Sequence, residues 1–147
     1  KNGFKLKLSS VLRNPTSMMT YLKALSYNEN LYEYNKANKE GFNEVVFLNI
    51  YGNIAEGATS NIFIIKDKKI YTPKISDGIL PGVVRNWVIK NFRVCEKHLD
   101  KEDLYSADEV FITNSILGIM KIVQFEERSY STSMVERIRS EYEQFII

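Results

Sequence analysis

Between Val45 and Thr72 the chain makes several short runs of β-branched and aromatic residues, each bounded by turn formers, and no run is long enough for a stable helix. Val45-Val46-Phe47-Leu48 is followed by Tyr51-Gly52-Asn53 and then Ile54, which predicts a hairpin. Asn61 to Ile65 and Lys69 to Tyr71 predict two more strands joined at Asp67-Lys68, with Thr72-Pro73 closing the set. This stretch has to bury its apolar side chains as a sheet, and a β-meander is the expected arrangement.

Helical periodicity is confined to the flanks. After an extended start at Lys5 to Leu8, Pro15-Thr16-Ser17 reads as a helix entry, with Leu22, Leu25 and Tyr32 at helical spacing and Gly41 as the stop. Lys23 falls on this helix or its approach. Gly78-Ile79-Leu80-Pro81-Gly82 is a loop leading into a helix from Val83 to Phe92, with Val84, Val88 and Phe92 on one face. Glu109 to Thr113 and Ile122 to Phe125 are two further strands. Ser133-x-x-Glu136 has the spacing of a capping box and opens a last helix that runs to about Phe145. Strands clustered together and helices set apart predict an α+β domain with a mainly antiparallel sheet.

With 147 residues, 44% of them hydrophobic, the chain suits one globular domain. Its 20 basic and 18 acidic residues leave a net charge of +2, scattered along the sequence, which is too weak a field to point to nucleic acid. Cys95 is the single cysteine and has no disulfide partner, and no apolar run reaches the roughly 20 residues of a membrane span. The expectation is a soluble, cytoplasmic protein with no nucleic-acid or membrane partner. It opens on Lys1 rather than methionine, so a fragment of a longer chain is expected. His98 lies in the charged stretch Glu96-Lys97-His98 without a second histidine or a cysteine to complete a metal site, and no metal is expected.

Four places carry chemistry-bearing residues. Lys23 is flanked by Tyr21, Leu22, Ala24 and Leu25; a lone lysine is usually a solvated charge, but these neighbours could desolvate the amine and favour its neutral, nucleophilic form. Glu56-Gly57-Ala58-Thr59-Ser60-Asn61-Ile62-Phe63 sets a carboxylate at a strand end beside small residues that let something approach the backbone. A surface turn explains it equally well. The loop into Val83 presents free N–H groups at a helix start, and Thr113-Asn114-Ser115 adds hydroxyl and amide groups after a strand.

Taken in order, these motifs resemble the class IV aminotransferase family of pyridoxal-phosphate enzymes, also called fold type IV. The resemblance rests on Lys23, then Glu56, Ala58, Asn61, Ile62 and Phe63, then Thr72, Gly78 and the loop ending at Arg85. It continues through Ala107-Asp108-Glu109-Val110-Phe111 and Thr113-Asn114-Ser115, and so covers the chain from about Arg13. It implies the larger C-terminal domain of these enzymes over 1–147, a pseudo-barrel with flanking helices, without their smaller N-terminal domain. Lys23 then matches the lysine that holds the cofactor as a Schiff base and moves the substrate proton. Glu56 matches the carboxylate facing the pyridine nitrogen, Val83 and Val84 the helix-start N–H groups that bind the phosphate, and Asn114 and Ser115 a second phosphate-binding turn.

Two departures bear on the activity. Val84 stands where many relatives have threonine, and Asn28, beside Tyr27, stands where branched-chain aminotransferases place a tyrosine beyond the lysine. Phe111 to Met120 looks most like aminodeoxychorismate lyases, which form 4-aminobenzoate and pyruvate in folate synthesis. The expected function is therefore that lyase, with a branched-chain or D-amino-acid aminotransferase as the alternative and a catalytically silent interaction module as a second one. Small amino substrates and a homodimer are the expected partners.

Overall fold

A computed structural model of the chain describes residues 2–16 and 27–147. Lys23, with Leu22 and Leu25, therefore lies outside the described residues. The elements are β1 (Phe4–Arg13), α1 (Tyr27–Lys39), β2 (Glu44–Asn49), β3 (Ile54–Gly57), β4 (Asn61–Lys66), β5 (Lys69–Thr72), α2 (Val83–Asn91), β6 (Val94–Glu96), α3 (Lys101–Ser106), β7 (Glu109–Asn114), β8 (Gly118–Phe125), β9 (Arg128–Ser129) and α4 (Ser133–Phe145).

These strands form one sheet in the order β3-β2-β1-β8-β7-β4-β5-β6, with β9 beside β8. The hairpins β2–β3 and β4–β5 are antiparallel, as are β4–β7, β7–β8 and β8–β9. Pairings of β1 with β2, β1 with β8, and β5 with β6 are parallel, so the sheet is mixed. The expected meander is corrected here: β3 and β4 are consecutive in sequence, yet β2, β1, β8 and β7 lie between them in the sheet. They nevertheless touch, which requires the sheet to curl into a half-barrel.

Curling explains why the central strands are apolar throughout. Ile62 and Ile64 of β4, Val110 and Ile112 of β7 and Ile122 of β8 point into the barrel with Leu6, Val46, Ile54 and Phe125. The alternate residues Phe63, Ile65, Phe111 and Ile119 face outward under α2 and α4, against Val84, Val88, Val135 and Ile138. Strands covered on both faces read as continuous apolar runs. Phe63 and Phe111 are register partners and their rings stack at 4.7 Å, locking β4 to β7.

Other expectations shift. Helix α1 ends before Gly41, which adopts a positive φ of 90° as the expected stop, but Tyr32 faces solvent while Glu33 and Ala37 are buried. The Asp67-Lys68 turn has positive φ at both residues, the backbone of a tight two-residue hairpin. Helix α4 does run to Phe145, but Thr132 is its N-cap and makes no side-chain bond, so Ser133 and Glu136 form no capping box. Glu109 takes that role from β7, accepting the N–H groups of Met134 (3.0 Å) and Val135 (2.9 Å). A reciprocal box occurs instead at Asp100 and Asp103, opening α3.

Candidate active site

Glu56 ends up inside the molecule, with 5% of its surface exposed. It sits on β3, and its Oε1 accepts the backbone N–H of Leu80 at 2.9 Å. The nearest cation among the described residues is Arg13 at the end of β1, with Nη1 3.7 Å from Oε2. Arg13 is itself buried; its Nη2 donates to Asn30 Oδ1 at 2.5 Å and its guanidinium lies 4.3 Å from the Phe47 ring centre. Its Nε and Nη1 have no hydrogen-bond partner among the described residues. Burial dominates the electrostatics and pushes Glu56 up to about 7, with the Leu80 N–H and then Arg13 pulling it back down.

The turn after Glu56 is held by a residue that pattern reading passes over. Glu44 is buried, and its carboxylate accepts from Val45 N (2.9 Å), Ala58 N (3.2 Å), Thr59 N (3.2 Å), Thr59 Oγ1 (2.9 Å) and Ser60 Oγ (2.8 Å). Desolvation still outweighs these bonds and raises its pKa. A Cβ on Gly57 would meet Glu44 Oε2 at 2.9 Å and run into Ser60 Oγ. The space on the Cβ side of Gly57 thus receives the chain's own side chains.

Asn61 ties this region to the loop before α2. Its Nδ2 donates to Leu80 O at 3.0 Å and its Oδ1 accepts the N–H of Gly82 at 3.1 Å. Gly82 is the N-cap of α2 and supplies no side-chain cap, so the N–H groups of the first turn, Val83 and Val84 among them, point out of the helix end. From Leu80, bonded to Glu56, to Val84 the chain can span at most about 14 Å. Val84 is buried with Val88 in the outer core, while Val83 is 79% exposed. The Val84 side chain therefore makes apolar contacts and leaves only its backbone N–H at the helix start.

β-pairing brings the last candidate segment to the same end. Asn61 is the register partner of Thr113, directly before Asn114 and Ser115. Asn114 Oδ1 accepts from Ile116 N (3.0 Å) and Leu117 N (2.7 Å), so its side chain shapes the turn. Ser115 is exposed, and Thr113 Oγ1 is buried without a partner among the described residues. Glu56, the α2 N-terminus and the Asn114-Ser115 turn are thus joined through Leu80 and Asn61. Arg85, the last residue of the motif, is instead a fully buried strut that donates to Glu96 Oε1 (2.8 Å) and Pro73 O (3.2 Å).

A concavity of about 150 Å³ lies elsewhere, between β1 and α1, lined by Ser9, Glu33 and Lys36 among others. Among the described residues no group of His, Cys, Asp and Glu is arranged to hold a metal ion, and no helix is long and apolar enough to cross a membrane.

The curled mixed sheet is a fold shared with solved structures. The chain matches the family model of amino-transferase class IV over residues 1–125 and belongs to that family. It is 31% identical to the probable branched-chain-amino-acid aminotransferase of Aquifex aeolicus, over 97% of this chain and 49% of that one. It is 35% identical to the aminodeoxychorismate lyase of Bacillus subtilis, over 88% of this chain and 46% of that one. A branched-chain amino acid aminotransferase from Thermobaculum terrenum, solved in its PLP form, superposes with a TM-score of 0.90 at 26% identity, covering 98% of this chain and 51% of that one. The chain spans about half the length of these relatives.

Proposed function

We propose that this chain is the cofactor-binding C-terminal domain of a pyridoxal-phosphate enzyme, an aminodeoxychorismate lyase. The observation that carries the reading is Glu56, a buried carboxylate with one oxygen on Leu80 N–H, joined by a short segment to the uncapped start of α2. The residues fit the cofactor. Among the described residues Glu56 Oε2 has no close donor, Arg13 standing 3.7 Å away, and a protonated ring nitrogen would offset the cost of burying this carboxylate. Val83 and Val84 N–H suit a phosphate, with Asn114 and Ser115 on the other side. When bound, pyridoxal phosphate supplies an electron sink for a substrate carbanion.

The protein groups then divide the work. Glu56 keeps the ring nitrogen protonated, so its loss should impair turnover more than binding. The α2 N-terminus and the Asn114-Ser115 turn fix the phosphate end and so the orientation of the ring. In this reading Lys23 Nζ attaches the cofactor and afterwards takes and returns the substrate proton. The enzyme acts on a small amino substrate as a cytoplasmic homodimer, with the rest of the pocket contributed by a second domain.

Asn28, in place of the tyrosine of branched-chain enzymes, and the likeness to the Bacillus subtilis lyase support the lyase. The match to the Aquifex aeolicus protein over nearly all of this chain supports a branched-chain aminotransferase as the second reading. Incubating the full-length protein with aminodeoxychorismate should release 4-aminobenzoate. Turnover that requires an amino acid and a 2-oxo acid, without 4-aminobenzoate, would replace the lyase by the aminotransferase. Borohydride reduction of the cofactor-treated protein should label Lys23, and an unlabelled Lys23 would overturn the cofactor assignment.

A further inference from the structure

The loop from Gly78 to Gly82 is held at both ends, and only one end belongs to the family motif. Asn61 holds its far end through Leu80 O and Gly82 N–H. Its near end hangs from Asp77, 2% exposed, in a network outside that motif. Asp77 Oδ1 accepts from Asn49 Nδ2 at 3.3 Å and Asn53 Nδ2 at 3.4 Å, and Asp77 O accepts from Asn49 Nδ2 at 3.2 Å. The shortest bond comes from His98, whose Nδ1 lies 2.8 Å from Oδ1 and 3.0 Å from Oδ2. With a carboxylate as acceptor, Nδ1 carries the proton.

We infer that His98 is a positioning residue: its bond to Asp77 holds the loop so that the Leu80 N–H meets Glu56. The physical argument is one of leverage. Asn49 and Asn53 come from the β2–β3 hairpin that carries Glu56, whereas His98 comes from the connection between β6 and α3. His98 therefore braces the loop from outside the hairpin. Both asparagine bonds to Asp77 Oδ1 are long, so His98 supplies the best directed one. Among the described residues, the charges that act on Glu56 are those of Arg13, Glu44 and Arg85, and His98 is not among them. A direct route from His98 to Glu56 runs through Asp77, the loop and the Leu80 bond. The catalytic weight of this brace rests on the reading of Glu56 given above, but the brace itself is a property of the chain without cofactor.

His98 is 54% exposed, so its replacement leaves the core intact. In the isotope-labelled full-length protein without cofactor, His98→Ala should speed amide exchange at Leu80 about tenfold while leaving Ile64 in β4 unchanged, and should move the Glu56 titration further up. His98→Asn, which puts an amide nitrogen near the position of Nδ1, should restore most of the protection. Unchanged exchange at Leu80, or acceleration at Ile64 to the same degree, would overturn the inference. If the loop effect of His98→Ala is seen and the full-length wild-type protein fails to bind pyridoxal phosphate, the cofactor reading is refuted and the brace stands.

Discussion

Asn61 Oδ1 receives the backbone N–H of Gly82 at 3.1 Å, so the first residue of β4 sets where α2 begins. A Cβ on Gly82 would stand 2.7 Å from that oxygen, which accounts for glycine at the cap. Asn61→Ala would strand this N–H and the carbonyl of Leu80. The expected cost is about 2 kcal/mol in urea denaturation, together with weaker binding of pyridoxal phosphate. Asn61→Asp keeps the acceptor and should recover part of the loss.

The Glu56 titration gives a pH dependence with a definite sign. Its pKa is about 7 in the folded chain against an ordinary 4.5, so between these values the folded state holds the extra proton. Its contribution to stability is complete below the lower value and disappears as pH rises through the upper one, a change of about 3 kcal/mol. Glu56→Gln removes this slope. Denaturation of both proteins at about pH 5 and about pH 8 should show the variant gaining on wild type at the higher pH. Parallel pH dependence in the two proteins would count against the burial argument.

Glu44 collects donors from three successive residues of the turn after Glu56. Glu44→Ala would leave these groups unpaired inside the molecule. A loss of at least about 3 kcal/mol is expected, read as a lower denaturation midpoint.

Glu109 caps α4 from a neighbouring strand. Glu109→Ala should cost about 1–2 kcal/mol and speed amide exchange at Met134 and Val135, because two N–H groups at a helix start lose a charged acceptor. Ser133→Ala should have little effect, since Ser133 Oγ makes only a 3.4 Å contact with Glu109.

Local elements were largely legible in the sequence. The runs at Val45, Asn61, Lys69 and Glu109 form strands, Val83 starts a helix and Asp67-Lys68 makes the turn, because short-range propensity and turn chemistry act within a few residues. The exposed, three-residue β6 carries no apolar alternation and left no such mark. Of the site, Glu56, Asn61 and the Val83 helix start could be picked out because they recur as a motif. Arg13, Glu44 and Asp77 could not. An isolated charged residue is normally solvated, and nothing adjacent to these three in the chain indicates burial.

The amino-acid sequence by itself determined the strand and helix content, the family and the end of β3 at which a carboxylate stands. Only the tertiary structure decided what that carboxylate meets. The curl that carries β3 round to β4, past four intervening strands, places Leu80 and Arg13 beside Glu56. Propensity is local, whereas the partners and the ionisation of a buried group are set by long-range closure of the sheet.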